Sequence, residues 1–196
     1  HSPFLWPPAG DPAKCPATVT NAPLIARYVL ELGKSWVIDI SDQKPSERRA
    51  REFGRRESEI LVSALQLFQG EDWQNVTVEQ IAHHAEIGKG TVYKHFASKD
   101  EIYARLALDF QSAVRERIER LPAGLSPCER VRAVLKIGWE AHLSSPELHR
   151  VVLYCGRPEF RSSLLPETAA AFDAFERESR ERFRAIIEQG IAQGVF

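Results

Sequence analysis

The chain has 196 residues, 43% hydrophobic and 27% charged, and its 26 Lys and Arg against 27 Asp and Glu give a formal charge of -1. That is enough apolar material for one or two packed cores and too much for a disordered chain. A near-neutral balance excludes a uniformly basic polyanion binder, so a nucleic-acid site has to come from local placement of charge. No apolar run approaches the roughly 18 residues of a membrane span, and no membrane is expected as a partner. Cys15, Cys128 and Cys155 are odd in number and widely spaced, which fits a reducing, cytoplasmic setting better than a disulfide framework. His1 to Pro8 lack the basic and apolar regions of a secretory signal, which leaves the sequon Asn75-Val76-Thr77 a chance match. A chain that starts with His and contains no Met is expected to be part of a longer translation product.

In chain order, seven of the 12 prolines fall within residues 1–45, which reads as an extended or irregular leader. Leu24 to Leu32 could form a short helix inside it, and Trp36 to Ile40 a short strand. From Ser46 the sequence reads as helix after helix. Arg51 to Gln69 carries Phe53, Ile60, Leu61, Ala64, Leu65 and Phe68 at mostly i, i+3, i+4 spacing and stops at Gly70. Thr77-Val78-Glu79-Gln80 matches a capping box, with Val76 and Ile81 placed as a hydrophobic staple. Ile81, Ala82 and Ala85 are expected to face inward, and Gly88 to supply the turn into a very short helix, Lys89 to Phe96.

Ser98-Lys99-Asp100-Glu101 is a second capping box, opening a long helix with Ile102, Leu106, Phe110, Val114, Ile118 and Leu121 on one side. Pro122 and Gly124 end it. Ser126-Pro127-Cys128-Glu129 opens the next, and Ser145-Pro146 and Leu165-Pro166 mark two further starts. The last helix carries Phe172, Phe175, Phe183, Ile186 and Ile187 and is expected to run to Gly190. The fold class is all-α.

Two helices joined by a tight turn, the second short and without acids, are what a helix-turn-helix DNA reader needs. On the second helix, Val92 and Phe96 are four apart and can anchor it, leaving Lys89, Thr91, Tyr93, Lys94 and His95 to offer donors to phosphates and base edges. From Arg48 to Arg56 there are five arginines and one glutamate, and from Gly88 to Lys99 three lysines and no acid. The intervening acids leave this unit with two basic ends. An arginine cluster alone is as often a solvated helix face; beside a helix-turn-helix, Arg55 and Arg56 read as part of a DNA arm.

Val76-Thr77-Val78-Glu79-Gln80-Ile81-Ala82, followed by Ile87-Gly88-Lys89-Gly90-Thr91-Val92-Tyr93-Lys94-His95-Phe96 and Ser98-Lys99, resembles the N-terminal signature of the TetR family of bacterial transcriptional regulators. The resemblance covers about a quarter of the chain, roughly residues 52–105. It implies that Thr77 and Lys99 touch phosphates from helix N-termini, and that Lys89, Gly90, Thr91, Tyr93, Lys94 and His95 form the DNA-facing surface. It implies a helix-turn-helix domain over 46–97 and a larger helical ligand-binding and dimerisation domain over 98–196. The partners it implies are a palindromic double-stranded operator, a small-molecule inducer and a second copy of the chain, with repression relieved by the inducer and no cofactor. Two departures stand out. Some 50 residues precede the signature, and about 100 follow the short helix. The sequence stops at Phe196, where two further long helices of the family would begin, so it is expected to be C-terminally incomplete or unusual.

Gly88-Lys89-Gly90-Thr91 is no phosphate loop: the required earlier glycine is His83, and no strand precedes it. His83 and His84 point to different helix faces, a poor metal geometry. Trp139, His142, Leu143, Tyr154, Phe160, Phe172 and Phe175 come from three helical segments. Singly they read as core; as a set they could line an apolar ligand pocket. Two alternatives stay open: an all-α enzyme using His142 or Cys155, and a helical adaptor whose Arg48–Arg56 patch binds an acidic protein.

Overall fold

The computed structural model describes residues 45–70 and 73–196. The proline-rich leader, with the helix expected over 24–32 and the strand over 36–40, lies outside the described residues, as does Cys15. Among the described residues the chain is all-α, with eight α-helices and one 3-10 turn.

Helix α1 (Pro45–Leu67) begins ahead of the expected Arg51. Pro45 has the fixed φ that suits a first helical turn, and the polar run after it holds no breaker, so the helix extends beyond its apolar stripe. Ile60, Leu61, Ala64, Leu65 and Phe68 are buried, but Phe53 is half-exposed: it lies two turns past the edge of the core. A 3-10 turn (Trp73–Asn75) leads to α2 (Val78–His84) and α3 (Lys89–His95). Helix α4 (Lys99–Glu119) stops two residues before the expected Leu121. Helices α5 (Pro127–Ser144), α6 (Pro146–Cys155), α7 (Pro158–Arg161) and α8 (Pro166–Ala192) each start with a proline; α7 is a start that the sequence reading missed.

Two capping boxes form as expected. Gln80 N–H donates to Thr77 Oγ1 at 3.2 Å and Thr77 N–H to Gln80 Oε1 at 2.7 Å. Ser126 and Glu129 repeat the exchange at α5. The box at Ser98 is only half made: Glu101 N–H donates to Ser98 Oγ at 3.2 Å, but the Glu101 side chain turns away to another helix.

One core runs through α1, α2, α3, α4, α6, α7 and the start of α8. Ile81, Val92 and Ile102 are fully buried, each such side chain contributing about 2 kcal/mol. Tyr103 sits at its centre, buried, with its hydroxyl donating to Trp73 O at 3.1 Å. Around it Phe68, Trp73, Tyr154 and Phe160 make tilted and edge-on ring contacts between 4.7 and 6.5 Å. Tyr103 was absent from the expected α4 stripe because it lies beside Ile102 and Leu106, on a wider buried arc than one side of an amphipathic helix.

Helix α8 passes the expected stop at Gly190 and ends at Ala192. Gly194, at φ 67°, takes the left-handed position that terminates it, while Val195 N–H donates back to Gly190 O at 2.9 Å. Gly190 has a different task. A Cβ there would collide with the ring of Phe196. Among the described residues, no helix is long and apolar enough to cross a membrane.

Candidate nucleic-acid interface

The link from α2 to α3 is built differently from the glycine turn expected. Glu86 N–H donates to His83 O at 3.1 Å and Ile87 N–H to Ala82 O at 3.0 Å, the paired bonds of a Schellman stop. The left-handed residue in it is Glu86, at φ 55°. Gly88 is extended, φ -72° and ψ 142°, and caps α3 without a side chain. Ala85 is only half-buried, unlike Ile81 and Ala82. At Gly88 and Gly90 an added Cβ would meet nothing within 4 Å. Neither glycine is demanded by packing, and both leave bare backbone at the start of α3, where a phosphate could approach closely.

Val92 and Phe96 are buried and lock α3 against its brace. Lys89, Tyr93 and Lys94 are exposed and Thr91 is half-buried. Lys89 Nζ reaches Glu79 at 3.5 Å, a long, exposed pair that a phosphate could displace at little cost. Thr77 is exposed with its side chain committed to the cap. The short helix thus displays two ammonium groups, a phenol and a hydroxyl, with nothing acidic on it.

Four predicted residues sit otherwise than a free cationic surface would have them. Arg55 and Arg56 both donate to Glu59, at 2.6 and 2.7 Å, because i+4 and i+3 spacing puts that carboxylate beside them. One of the positive charges counted along the sequence is thereby balanced locally. Lys99 Nζ donates to Gln74 O at 2.6 Å and lies over the Tyr103 ring, tying the start of α4 to the 3-10 turn. His95 is turned toward α1: its ring centroid lies 4.0 Å from that of Phe53. Its Nδ1 is buried without a partner.

The residues of the proposed ligand set lie at different depths of the structure. Phe160 and Phe172 are buried in the main core and Tyr154 packs against it. Trp139 and Leu143 are exposed on α5, at 63% and 60%, with Trp139 near His142 at 5.7 Å and His142 against His149 of α6 at 4.3 Å. Phe175 lies under Arg115. Helical spacing could not reveal this, since it says which side chains share a face and not which helix covers them. A groove of about 860 Å³ instead runs between α1, the end of α2 and α4, bordered by Arg51, Leu61, His84, Glu86, Arg105 and Asp109. On its wall Arg105 donates to both Asp109 and Glu57; the Arg105–Asp109 spacing was a signal available in the sequence.

Cys155 is poorly placed to serve as the nucleophile of the enzyme alternative. Cys155 is fully buried, and burial pushes its thiol up to about 12, with Arg161 only partly offsetting that. A reactive cysteine needs the opposite shift. Among the described residues no group of three or more His, Cys, Asp or Glu is placed to hold a metal ion.

Comparison with known proteins decides the family. The family model for bacterial regulatory proteins, tetR family, matches residues 60–106. Over 147 residues the chain is 30% identical to the HTH-type transcriptional repressor KstR2 of Mycolicibacterium smegmatis, covering 72% of this chain and 67% of that protein. The chain belongs to the TetR family. Another TetR-like match is the HTH-type transcriptional regulator TcmR of Streptomyces glaucescens, 34% identical over 91 residues, which are 44% of this chain and 40% of TcmR. The chain therefore matches well under two thirds of that relative's length. Among solved structures, the TetR family transcriptional regulator PfmR of Thermus thermophilus superposes with a TM-score of 0.59 at 26% identity, covering 70% of this chain and 72% of PfmR. A TetR-family protein from Rhodococcus RHA1 shares the fold with a TM-score of 0.61 at 22% identity, over 71% and 72% of the two chains. These relatives are regulators rather than enzymes.

Proposed function

We propose that this TetR-family protein is a DNA-binding transcriptional repressor. The observation that carries the reading is the division of α3: Val92 and Phe96 are buried while Lys89, Tyr93 and Lys94 point out beside bare glycine backbone. In this reading residues 46–97 read DNA, residues 98–196 bind a small molecule and dimerise, and the protein acts in the cytoplasm. Two copies set their α3 helices in successive major grooves, about 34 Å apart on a palindromic operator. Thr77, Lys89, Gly90, Thr91, Tyr93, Lys94 and Lys99 meet the DNA, with Arg55 and Arg56 exchanging Glu59 for phosphate. A ligand with unequal affinity for DNA-competent and incompetent spacings of the two heads shifts the balance between them, with no chemistry needed.

Electrophoretic retardation of the DNA upstream of the protein's own gene tests this. Sequence-selective retardation that weakens steeply with salt is expected. Tyr93→Ala and Lys94→Ala should each lower operator affinity by roughly tenfold while the fold survives. Unchanged affinity in both variants overturns the assignment.

A further inference from the structure

The sequence signature counts His95 among the DNA-facing residues, but its geometry is that of a packing residue. It ends α3 with its imidazole against Phe53 of α1, ring centroids 4.0 Å apart and planes inclined by 34°. Its Nδ1 is shielded from solvent without a hydrogen-bond partner. Phe53, for its part, is 50% exposed and lies beyond the main core. Val92 and Phe96 hold α3 in the core, and the His95–Phe53 contact ties the end of α3 to α1. We propose that His95 is a positioning residue: packed on Phe53, its ring sets the angle at which α3 is held against α1, and so where Tyr93 and Lys94 reach.

This inference rests on the reading of α3 as a DNA-contacting helix and assigns His95 a task different from contact. The neutral ring is the form that packs. Burial holds the His95 pKa below its ordinary value, Arg56 acts in the same direction, and Glu57 opposes them, both charges coming from the facing α1. The two roles then predict opposite responses to acid. An imidazole that touches phosphate binds DNA more tightly once protonated. An imidazole that packs on Phe53 releases α3 once protonated, so affinity falls.

The test is a double-mutant cycle on operator affinity in the full chain. Phe53→Ala, which removes no group able to bond a phosphate, should lower affinity by roughly five- to tenfold, His95→Ala by about as much, and the double variant by little more than either alone. His95→Phe keeps the ring contact and should stay within about twofold of the parent while losing its acid sensitivity. Thermal melts separate these effects from unfolding. If His95→Phe loses as much as His95→Ala, with Phe53→Ala harmless or parent affinity rising as pH falls, the positioning role is overturned. If the parent protein retards no DNA, the regulator reading fails on its own account. The packing is then still read on the free protein: the His95 ring protons should show ring-current shifts that vanish in Phe53→Ala, and their absence overturns it.

Discussion

Glu101 of α4 caps a helix 64 residues further along the chain: its Oε1 accepts from the backbone N–H of Leu165, the N-cap of α8, at 2.8 Å. Its Oε2 accepts from Thr168 Oγ1 at 2.6 Å, and the neighbouring Asp100 accepts from Ser163 Oγ at 2.7 Å. Leu165 has no side-chain cap of its own, so the carboxylate satisfies an otherwise orphaned donor where the N-terminal end of a helix favours negative charge. All of this happens on the first turn of α4, which begins almost directly after α3. The stretch between α7 and α8 is therefore fastened to the base of the short helix that carries Tyr93 and Lys94.

Glu101→Ala leaves a part-buried N–H and hydroxyl without their acceptor, and should cost about 1 to 2 kcal/mol in urea unfolding. Glu101→Gln, which can still accept from Leu165 N–H and donate to Thr168, should cost about half that. Equal stability of the alanine variant and the parent would show that the cap is not holding α8.

The chain closes two helices with the same stop motif and fills its left-handed position differently, with Gly194 after α8 and Glu86 after α2. A non-glycine residue at positive φ carries strain of about 1 kcal/mol, and Glu86 is exposed, so its side chain secures nothing buried. Glu86→Gly should therefore stabilise the protein, by up to about 1 kcal/mol once the greater chain entropy of glycine is counted. It should leave operator binding undiminished, since it removes an acid from beside α3. A lower melting temperature would mean that the carboxylate makes an interaction worth more than the strain.

The two described cysteines should differ sharply toward an aromatic disulfide reagent. Cys128 is exposed near the start of α5, whereas Cys155 is buried and its thiol is pushed up to about 12. In a Cys15→Ser background, one thiol should react promptly in the native protein and the second only on unfolding. Prompt reaction of both would show that α6 opens readily, and would revive a chemical role for Cys155.

Much of this was legible in the sequence, for local reasons. Thr77 with Gln80, Ser126 with Glu129, and the prolines at 127, 146 and 166 fix helix starts through bonds and sterics that span four residues at most. Val92 and Phe96 were readable as anchors because one helix turn separates them. What failed depended on distant neighbours. Glu101 looks like half of a capping box until α8 arrives to claim it, and Phe53 looks like core until α1 is seen to overrun the core. Trp139 and Tyr154 look like one aromatic set although they end at different depths of the molecule. The turn before α3 misled for another reason: a glycine stood nearby, while the strained backbone fell on Glu86.

The contact between α5 and α6 predicts how stability depends on pH. The rings of His142 and His149 meet edge-on at 4.3 Å, and His142 Nδ1 is buried without a partner. Burial, and then the neighbouring His142, hold His149 below its ordinary pKa of 6.5. The folded state thus binds a proton less readily than the unfolded chain, and stability is complete above 6.5 and lost as pH falls through the lowered value. Asp109 acts in the opposite sense and in a lower range, because burial raises it from 3.8 despite Arg105, so protonation there favours the fold. Between about pH 7.5 and about pH 5.5 His149 dominates together with His95, which burial also lowers, and the unfolding midpoint of the parent should drop. His149→Gln should flatten that drop measurably, and His142→Gln should flatten it too by removing the facing charge. A parent midpoint that holds steady or climbs across this range would mean that the two rings separate freely and are not held together by the packing of α5 on α6.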